Sequence, residues 1–343
     1  MQEDFEGLSV HRAITGKTPA QSLPCTLSVI VPVYNEAQAL AILHRRLAQV
    51  LRGTGVSWEI VYVDDGSTDS TSAALATLQL QEPAVALARL SRNFGKEAAM
   101  SAGLRLARGE AVVLIDADLQ DPPELIPAML QAWRQGADVV NMRRRSRAGE
   151  TWLKRATAQA FYWLINRLSE VPIPRDVGDF RLLSRRAVQA LNTLPEHNRF
   201  MKGLFAWVGY RQAMIDYDRQ PRAAGISKWH YRKLWNFALE GITGFTVVPL
   251  RLATWAGLLS ALAAFFYALI FVCKTFLFGE SVAGFPTLIV TIMLLGGVQL
   301  LSIGILGEYI GRLFIETKQR PLFLLDYHHP SRPSPASGQR EHQ

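Results

Sequence analysis

The sequence predicts an α/β protein: a mostly parallel β-sheet layered by helices, followed by a two-helix transmembrane hairpin. Between residues 26 and 142, short β-branched apolar runs alternate with helical patterns. Such alternation builds a parallel sheet covered on both faces. Further along, LATWAGLLSALAAFFYALIFVC (252–273) and TLIVTIMLLGGVQLLSIGILG (287–307) hold no charged residue, each over about one bilayer crossing.

The elements follow in order. TLSVIVPVY (26–34) is the first strand, and the helical spacing after it runs to about Leu51. WEIVYVDD (58–65) is the second strand. TDSTSAALATLQL (68–80) is a helix with Thr68 or Asp69 at its N-cap. AVALARLS (84–91) is the third strand, KEAAMSAGLRLA (96–107) a helix and AVVLID (111–116) the fourth strand. PPELIPAMLQAWRQ (122–135) is a helix opened by proline, and ADVVNM (137–142) is the fifth strand. WLKRATAQAFYWLINRL (152–168) is amphipathic, with Trp152, Ala156, Ala160 and Trp163 on one side. It suits a membrane interface, or a core contact with snorkelling Lys154 and Arg155.

A pair of buried core helices is the alternative to the hairpin, but such helices rarely stay uncharged on every face for so long. Arg232, Lys233 and Arg251 precede the first span, and Arg312, Lys318 and Arg320 follow the second. The connection KTFLFGESVAGF carries one lysine and one glutamate. Basic flanks stay inside, so both termini are expected in the cytosol and Glu280 outside.

The 343 residues carry a net charge of +8. That excess implies an acidic partner: nucleic acid, anionic lipid or a phosphorylated substrate. Cys25 and Cys273 are the two cysteines; they make no disulfide framework, which fits a reducing compartment. The polar first residues do not form a secretory signal.

Asp64 and Asp65 end the second strand, and Asp116 and Asp118 end the fourth. In open parallel sheets, ligands bind outside the carboxyl ends of the strands. Residues two apart in extended chain point the same way, and Gln120 continues the series. Oxygen ligands grouped so suit Mg²⁺ or Mn²⁺ bridging phosphate oxygens. Helix capping is the alternative; Asp121, beside Pro122, could do that, but not Asp116 and Asp118 as well.

SVIVPVYNE, VDDGSTDST, RNFGKEAAMSAGL, DADLQDPPELI and GDFRLLSR together resemble the family-2 glycosyltransferases of the Rossmann-like GT-A fold. More narrowly they are similar to the polyprenyl-phosphate hexosyltransferases, related to dolichol-phosphate mannose synthase. LPEHNRFMKGLFAWVGY, AGISKW, KLWNFALEGITGF and LGEYIGRLFIE look most like the bactoprenol (undecaprenyl-phosphate) glucosyltransferases of O-antigen modification. The resemblance covers about residues 26–322.

The resemblance implies roles by position. Pro32, Tyr34, Asn35 and Glu36 hold the nucleotide base and ribose, unless the last three are an ordinary turn capped by Asn35. Asp64 and Asp65 contact the uridine, and Lys96 belongs to the donor site. Asp116, Asp118 and Gln120 form the metal and diphosphate motif, with Asp116 also against the nucleotide and Asp118 catalytic. Asp179 is the second catalytic candidate: base, sugar-hydroxyl ligand or orienter of Arg181. Lys154, Arg155, Arg175, Arg222, Ser227 and Lys228 are expected on the acceptor phosphate. RAAGISK (222–228) matches a loop that closes over the phosphates, with Ile226 where many relatives carry Glu.

The implied activity is transfer of a hexose, glucose above others, from UDP-sugar to undecaprenyl phosphate by inverting displacement. The implied place is the bacterial inner membrane, multi-pass, with a cytosolic catalytic domain. Aminoarabinose, galactose, N-acetylhexosamine or GDP-mannose donors are alternatives, as is a non-catalytic membrane scaffold. A processive polysaccharide synthase lacks support, since Gln-x-x-Arg-Trp is absent, and a dehydrogenase needs Gly-x-Gly-x-x-Gly after the first strand. No nucleic acid is expected as partner. Gly307 and Gly311 form a Gly-x-x-x-Gly, which suggests a homo-oligomer packed through the spans. The expected organisation is a disordered tail (1–25), a catalytic domain (26–228), interfacial helices (229–250), the hairpin (251–314) and a cytosolic tail (315–343), disordered over HHPSRPSPASGQREHQ.

Overall fold

The computed structural model describes residues 25–145, 174, 177–197, 199–218, 248–278, 284–332 and 334. Among the described residues eight strands form one sheet: β1 Leu27–Val33, β2 Trp58–Asp64, β3 Val85–Leu90, β4 Ala111–Leu114, β5 Val139–Arg144, β6 Val177–Ser184, β7 Gln212–Tyr217 and β8 Leu325–His329. Their order is β7-β5-β6-β4-β1-β2-β3-β8. β6 pairs antiparallel with β4 and β5, and β8 antiparallel with β3; the other pairings are parallel.

The core explains the strands. Every residue of β2 and β4 is buried, and all of β1 but Pro32. Such continuous apolar runs need a cover on both faces. Helices α1 Ala37–Arg52, α2 Thr71–Gln81, α3 Lys96–Leu106, α4 Ile126–Arg134, α5 Arg185–Thr193 and α6 Met201–Trp207 are the described helices of this layer. One core cluster joins α1 and α4 residues Leu43, Leu47 and Met129 to Val29, Tyr62 and Phe180. A second joins α3, α5 and α6 residues Met100, Val188 and Phe205 to Ile30, Val61 and Val112.

All five expected strands and the four helices expected among them are present with shifted bounds; β5, for one, runs Val139–Arg144 rather than 137–142. β4 stops at Leu114 rather than Asp116. α2 starts at Thr71, where the backbone N–H donates to Asp69 Oδ1 at 2.9 Å. The run that opens at Pro122 begins as a 3₁₀ turn, Pro123–Leu125, before α4.

α7 Val248–Phe278 and α8 Phe285–Thr317 pack against each other. Both are long and apolar enough to cross a membrane. Leu300 is 72% exposed and Met293 71%, so their outer surfaces are unpartnered in water. The helices extend beyond the expected 252–273 and 287–307. The chain then returns to the sheet. β8 lies along β3, Arg332 N–H donates to Pro83 O at 2.6 Å, and Ser334 N–H to Trp58 O at 3.0 Å. His328 to Arg332 are therefore docked, where a polar, proline-rich composition predicts disorder. Backbone pairing to an open sheet edge orders them.

Candidate active site

The carboxyl ends of β1, β2 and β4 converge because their register is fixed: Ile30 faces Leu114, and Val33 faces Asp64. Two loops leave this edge and clasp each other. Asn35 takes a left-handed φ of 53°. Its N–H donates to Ser67 Oγ at 3.1 Å, and its Oδ1 accepts from Thr68 N–H at 2.9 Å. Asn35 is thus a tie between loops rather than a helix cap. Tyr34 stands exposed beside it, and Pro32 and Glu36 are half-buried.

Asp64 and Asp65 are buried. Asp64 Oδ1 accepts from Ser67 N–H at 2.8 Å, Oδ2 accepts from the Ser72 hydroxyl, and Arg89 Nε stands 3.7 Å away. Asp65 accepts from the N–H groups of Phe94 at 2.7 Å and Gly95 at 2.9 Å, which fixes the entry to α3. Burial pushes the Asp65 carboxyl above its usual value, against those two donors. Gly66 has a φ of 68°, and a Cβ there would lie 2.5 Å from the Arg92 carbonyl carbon; only glycine lets the two loops approach.

Beyond the end of β4 the alternation persists. Ile115, Ala117 and Leu119 are buried, whereas Asp116, Asp118 and Gln120 are half-buried. The polar three share the open side, as their spacing suggests, although the chain has left the strand. Leu119 turns it with a φ of 61°, and Asp118 Oδ1 accepts from Gln120 N–H at 3.1 Å.

The antiparallel register of β6 brings in the next group. Leu114 faces Arg181, so continuing both chains sets Asp179 opposite Asp116. Lys96, the first residue of α3, joins them: Nζ lies 2.6 Å from Asp116 Oδ1 and 2.5 Å from Asp179 Oδ2. Burial opposes the Lys96 charge, but the two carboxylates outweigh it and raise its pKa. Burial likewise opposes the Asp179 anion, and Lys96 and Lys202 overcome that to hold its carboxyl well below the usual range. Glu97 moves the other way: burial, then the Asp179 charge, raise its carboxyl to about 8. Asp179 Oδ1 and Glu97 Oε2 have no hydrogen-bond partner among the described residues.

Arg181 donates to Gly178 O at 2.6 Å and lies over the Phe205 ring at 3.8 Å. Arg181, Lys202, Asn141 and Gln212 line a narrow cleft with Phe205 and Val177. Lys154, Arg155, Arg175, Arg222, Ser227 and Lys228 lie outside the described residues.

The sequence reading placed Lys96 in the donor site but not between two carboxylates, and it missed Glu97 and Lys202. Charged residues opening helices at the carboxyl edge of a parallel sheet were the available signal. A divalent cation fits the donor set in part. Asp116 and Asp118 offer hard oxygens on one side, while no cluster of three or more metal-binding side chains occurs among the described residues. Two carboxylates plus phosphate oxygens is the usual arrangement for Mg²⁺.

Comparison with known proteins adds a second line. The profile of Glycosyl transferase family 2 matches residues 28–191, and that of the GtrB C-terminal hairpin matches 248–313. The chain is 50% identical over 87% of its length to the uncharacterized glycosyltransferase sll0501 of Synechocystis sp., covering 94% of that protein. It is 45% identical over 90% of its length to the SfII prophage-derived bactoprenol glucosyl transferase of Shigella flexneri, covering 99% of it. The prophage bactoprenol glucosyl transferase homolog of Escherichia coli K12 is 45% identical over 87% of the chain and 98% of the relative.

Proposed function

Because the chain belongs to the family-2 glycosyltransferases, we propose that it transfers glucose from UDP-glucose to undecaprenyl phosphate at the inner face of a bacterial inner membrane. The observation that carries this reading is the 45% identity to a bactoprenol glucosyl transferase over 90% of the chain. It is supported by a carboxylate-rich edge of the sheet and by two apolar helices, the second of which leads into the sheet through β8.

The chemistry divides between leaving group and nucleophile. Asp116 and Asp118 would hold Mg²⁺ or Mn²⁺, and the cation, when bound, neutralises charge on the departing diphosphate. Asp64 and Asp65 set the walls of the nucleotide pocket through the loops they tie, with Pro32, Tyr34, Asn35 and Glu36 on its rim. The acceptor is a phosphate already anionic at neutral pH, with a second pKa of about 6. No group need take its proton, so positioning dominates. A carboxylate held as low as Asp179 is a weak base. Its role here is to accept a hydrogen bond from a donor-sugar hydroxyl, through the Oδ1 that has no partner among the described residues. Acceptor phosphate binding falls to Lys154, Arg155, Arg175, Arg222, Ser227 and Lys228. Direct displacement inverts the anomeric centre.

The chain is also proposed to self-associate through α8. A Cβ added at Gly307 or Gly311 meets nothing within 4 Å, so both glycines are open to a second helix.

The test uses the purified full chain with undecaprenyl phosphate and a panel of UDP-glucose, UDP-galactose, UDP-N-acetylglucosamine, UDP-aminoarabinose and GDP-mannose, read by product mass. UDP-glucose is expected to give the hexosyl lipid phosphate, EDTA to stop it, and Asp118→Asn to remove nearly all turnover. A stronger product with another donor replaces glucose; no product with any lipid phosphate defeats the reading.

A further inference from the structure

We infer that Lys96 is a latch that makes divalent-cation binding depend on the donor diphosphate. This rests on the transferase reading above and adds a role for one side chain.

Lys96 Nζ holds an oxygen of Asp116 at 2.6 Å and an oxygen of Asp179 at 2.5 Å. Its backbone is fixed. The preceding Gly95 N–H is bound by Asp65, and α3 is packed against β1 and β2. Its side chain is not enclosed, being 42% exposed, and four methylenes let the ammonium swing. In the donor-free protein, a divalent cation at Asp116 must share that carboxylate with a like charge.

The described residues have little else to offer the cation. Asp118 Oδ1 already accepts from Gln120 N–H at 3.1 Å, and no cluster of three or more metal-binding side chains exists among the described residues. A diphosphate changes both terms. Its oxygens complete the ligand set, and its charge competes for the Lys96 ammonium. Lys96 then moves from Asp116 to phosphate, freeing the carboxylate for the cation while keeping its own positive charge in the site. Diphosphate and cation therefore bind as a coupled pair, and the coupling is reciprocal by linkage.

The experiment measures Mn²⁺ binding by electron paramagnetic resonance on the detergent-purified full chain, with and without UDP. Coupling of linked sites is typically about 5- to 150-fold, and UDP is expected to tighten Mn²⁺ binding to wild type within that range. Lys96→Met and Lys96→Gln should bind Mn²⁺ at least about fivefold more tightly than wild type without UDP, and gain less from UDP. Lys96→Arg keeps the charge and should behave as wild type. Asp118→Asn should abolish the tight binding in each background, which assigns the signal to this site. UDP-strengthened binding with unchanged donor-free affinity in Lys96→Met and Lys96→Gln overturns the latch. Wild-type binding that UDP leaves unchanged overturns the donor-site reading beneath it. The Gln variant keeps a polar, uncharged end should the Met variant fail to fold.

Discussion

Glu97 follows Lys96 directly on α3, yet burial is overcome at one and not at the other. Lys96 reaches two carboxylates, whereas Glu97 faces the Asp179 anion and has no partner for Oε2 among the described residues. Its carboxyl is raised from 4.5 to about 8. The folded protein therefore keeps a proton that the unfolded chain releases. That contribution to stability is full below pH 4.5 and fades as the pH rises to about 8. Asp179 has the opposite sign, because its folded value is depressed. Its contribution is present above its ordinary 3.8 and is lost only in stronger acid, so the two windows do not overlap. Glu97→Gln is expected to flatten the fall of melting temperature between pH 5 and 8.5. Parallel pH profiles for variant and wild type, by thermal denaturation in detergent, would contradict this. At this scale Asp116 and Asp118 were legible, because a period of two survives past the end of β4. The Lys96–Asp179 contact was not, since it depends on β6 pairing antiparallel with β4, and pairing partners are not written in local pattern.

Among the elements, β8 shows a similar limit. Five residues following the apolar helix pair, rich in His and followed by proline, carry no strand period, and their order comes from the open edge of β3. The segment is held further by a buried carboxylate. Glu59 is 1% exposed and accepts from Ser28 Oγ at 2.6 Å, Arg108 N–H at 2.8 Å, Arg108 Nη2 at 2.8 Å and Ser331 Oγ at 2.5 Å. Burial opposes its charge, but these donors outweigh it and keep its pKa below the usual value. Arg108 also donates to Ser331 O at 2.7 Å, so one guanidinium joins tail and sheet. Arg108→Ala removes charged hydrogen bonds worth roughly 1.5–3 kcal/mol and leaves Glu59 buried with fewer donors. The melting temperature is expected to fall and chymotrypsin to cut the tail at Tyr327 first; an unchanged digestion pattern would show that β8 pairing alone holds the strap. On α8, Gly307→Leu fills the open face of the helix and is expected to reduce the detergent-solubilised mass. A mass equal to wild type removes Gly307 and Gly311 from the contact.

For the molecule as a whole, the orientation proposed for the membrane rests on two attachments. α8 ends at Thr317, and within its last turn Glu316 accepts from His197 N–H at 3.0 Å and lies 2.9 Å from His197 Nδ1. The chain then enters the sheet as β8. The helix ends at Val248 and Thr317 therefore belong to the side of the catalytic layer, and the ends at Phe278 and Phe285 to the opposite side. Charge asks for the same arrangement: Arg251, Arg312, Lys318 and Arg320 all lie at the sheet end, where basic residues stay in the cytosol. An active site on the carboxyl edge of a sheet strapped in this way meets a lipid phosphate at the membrane surface without lifting the lipid far from its leaflet. With Cys25 and Cys273 replaced by serine, a cysteine at exposed Gly284 should react with an impermeant maleimide in intact cells, and one at exposed Arg320 should react only after the membrane is opened. Labelling of Arg320→Cys in intact cells, with Gly284→Cys protected, would put the sheet on the outer face, away from cytosolic UDP-sugar, and the proposed reaction would have no donor there.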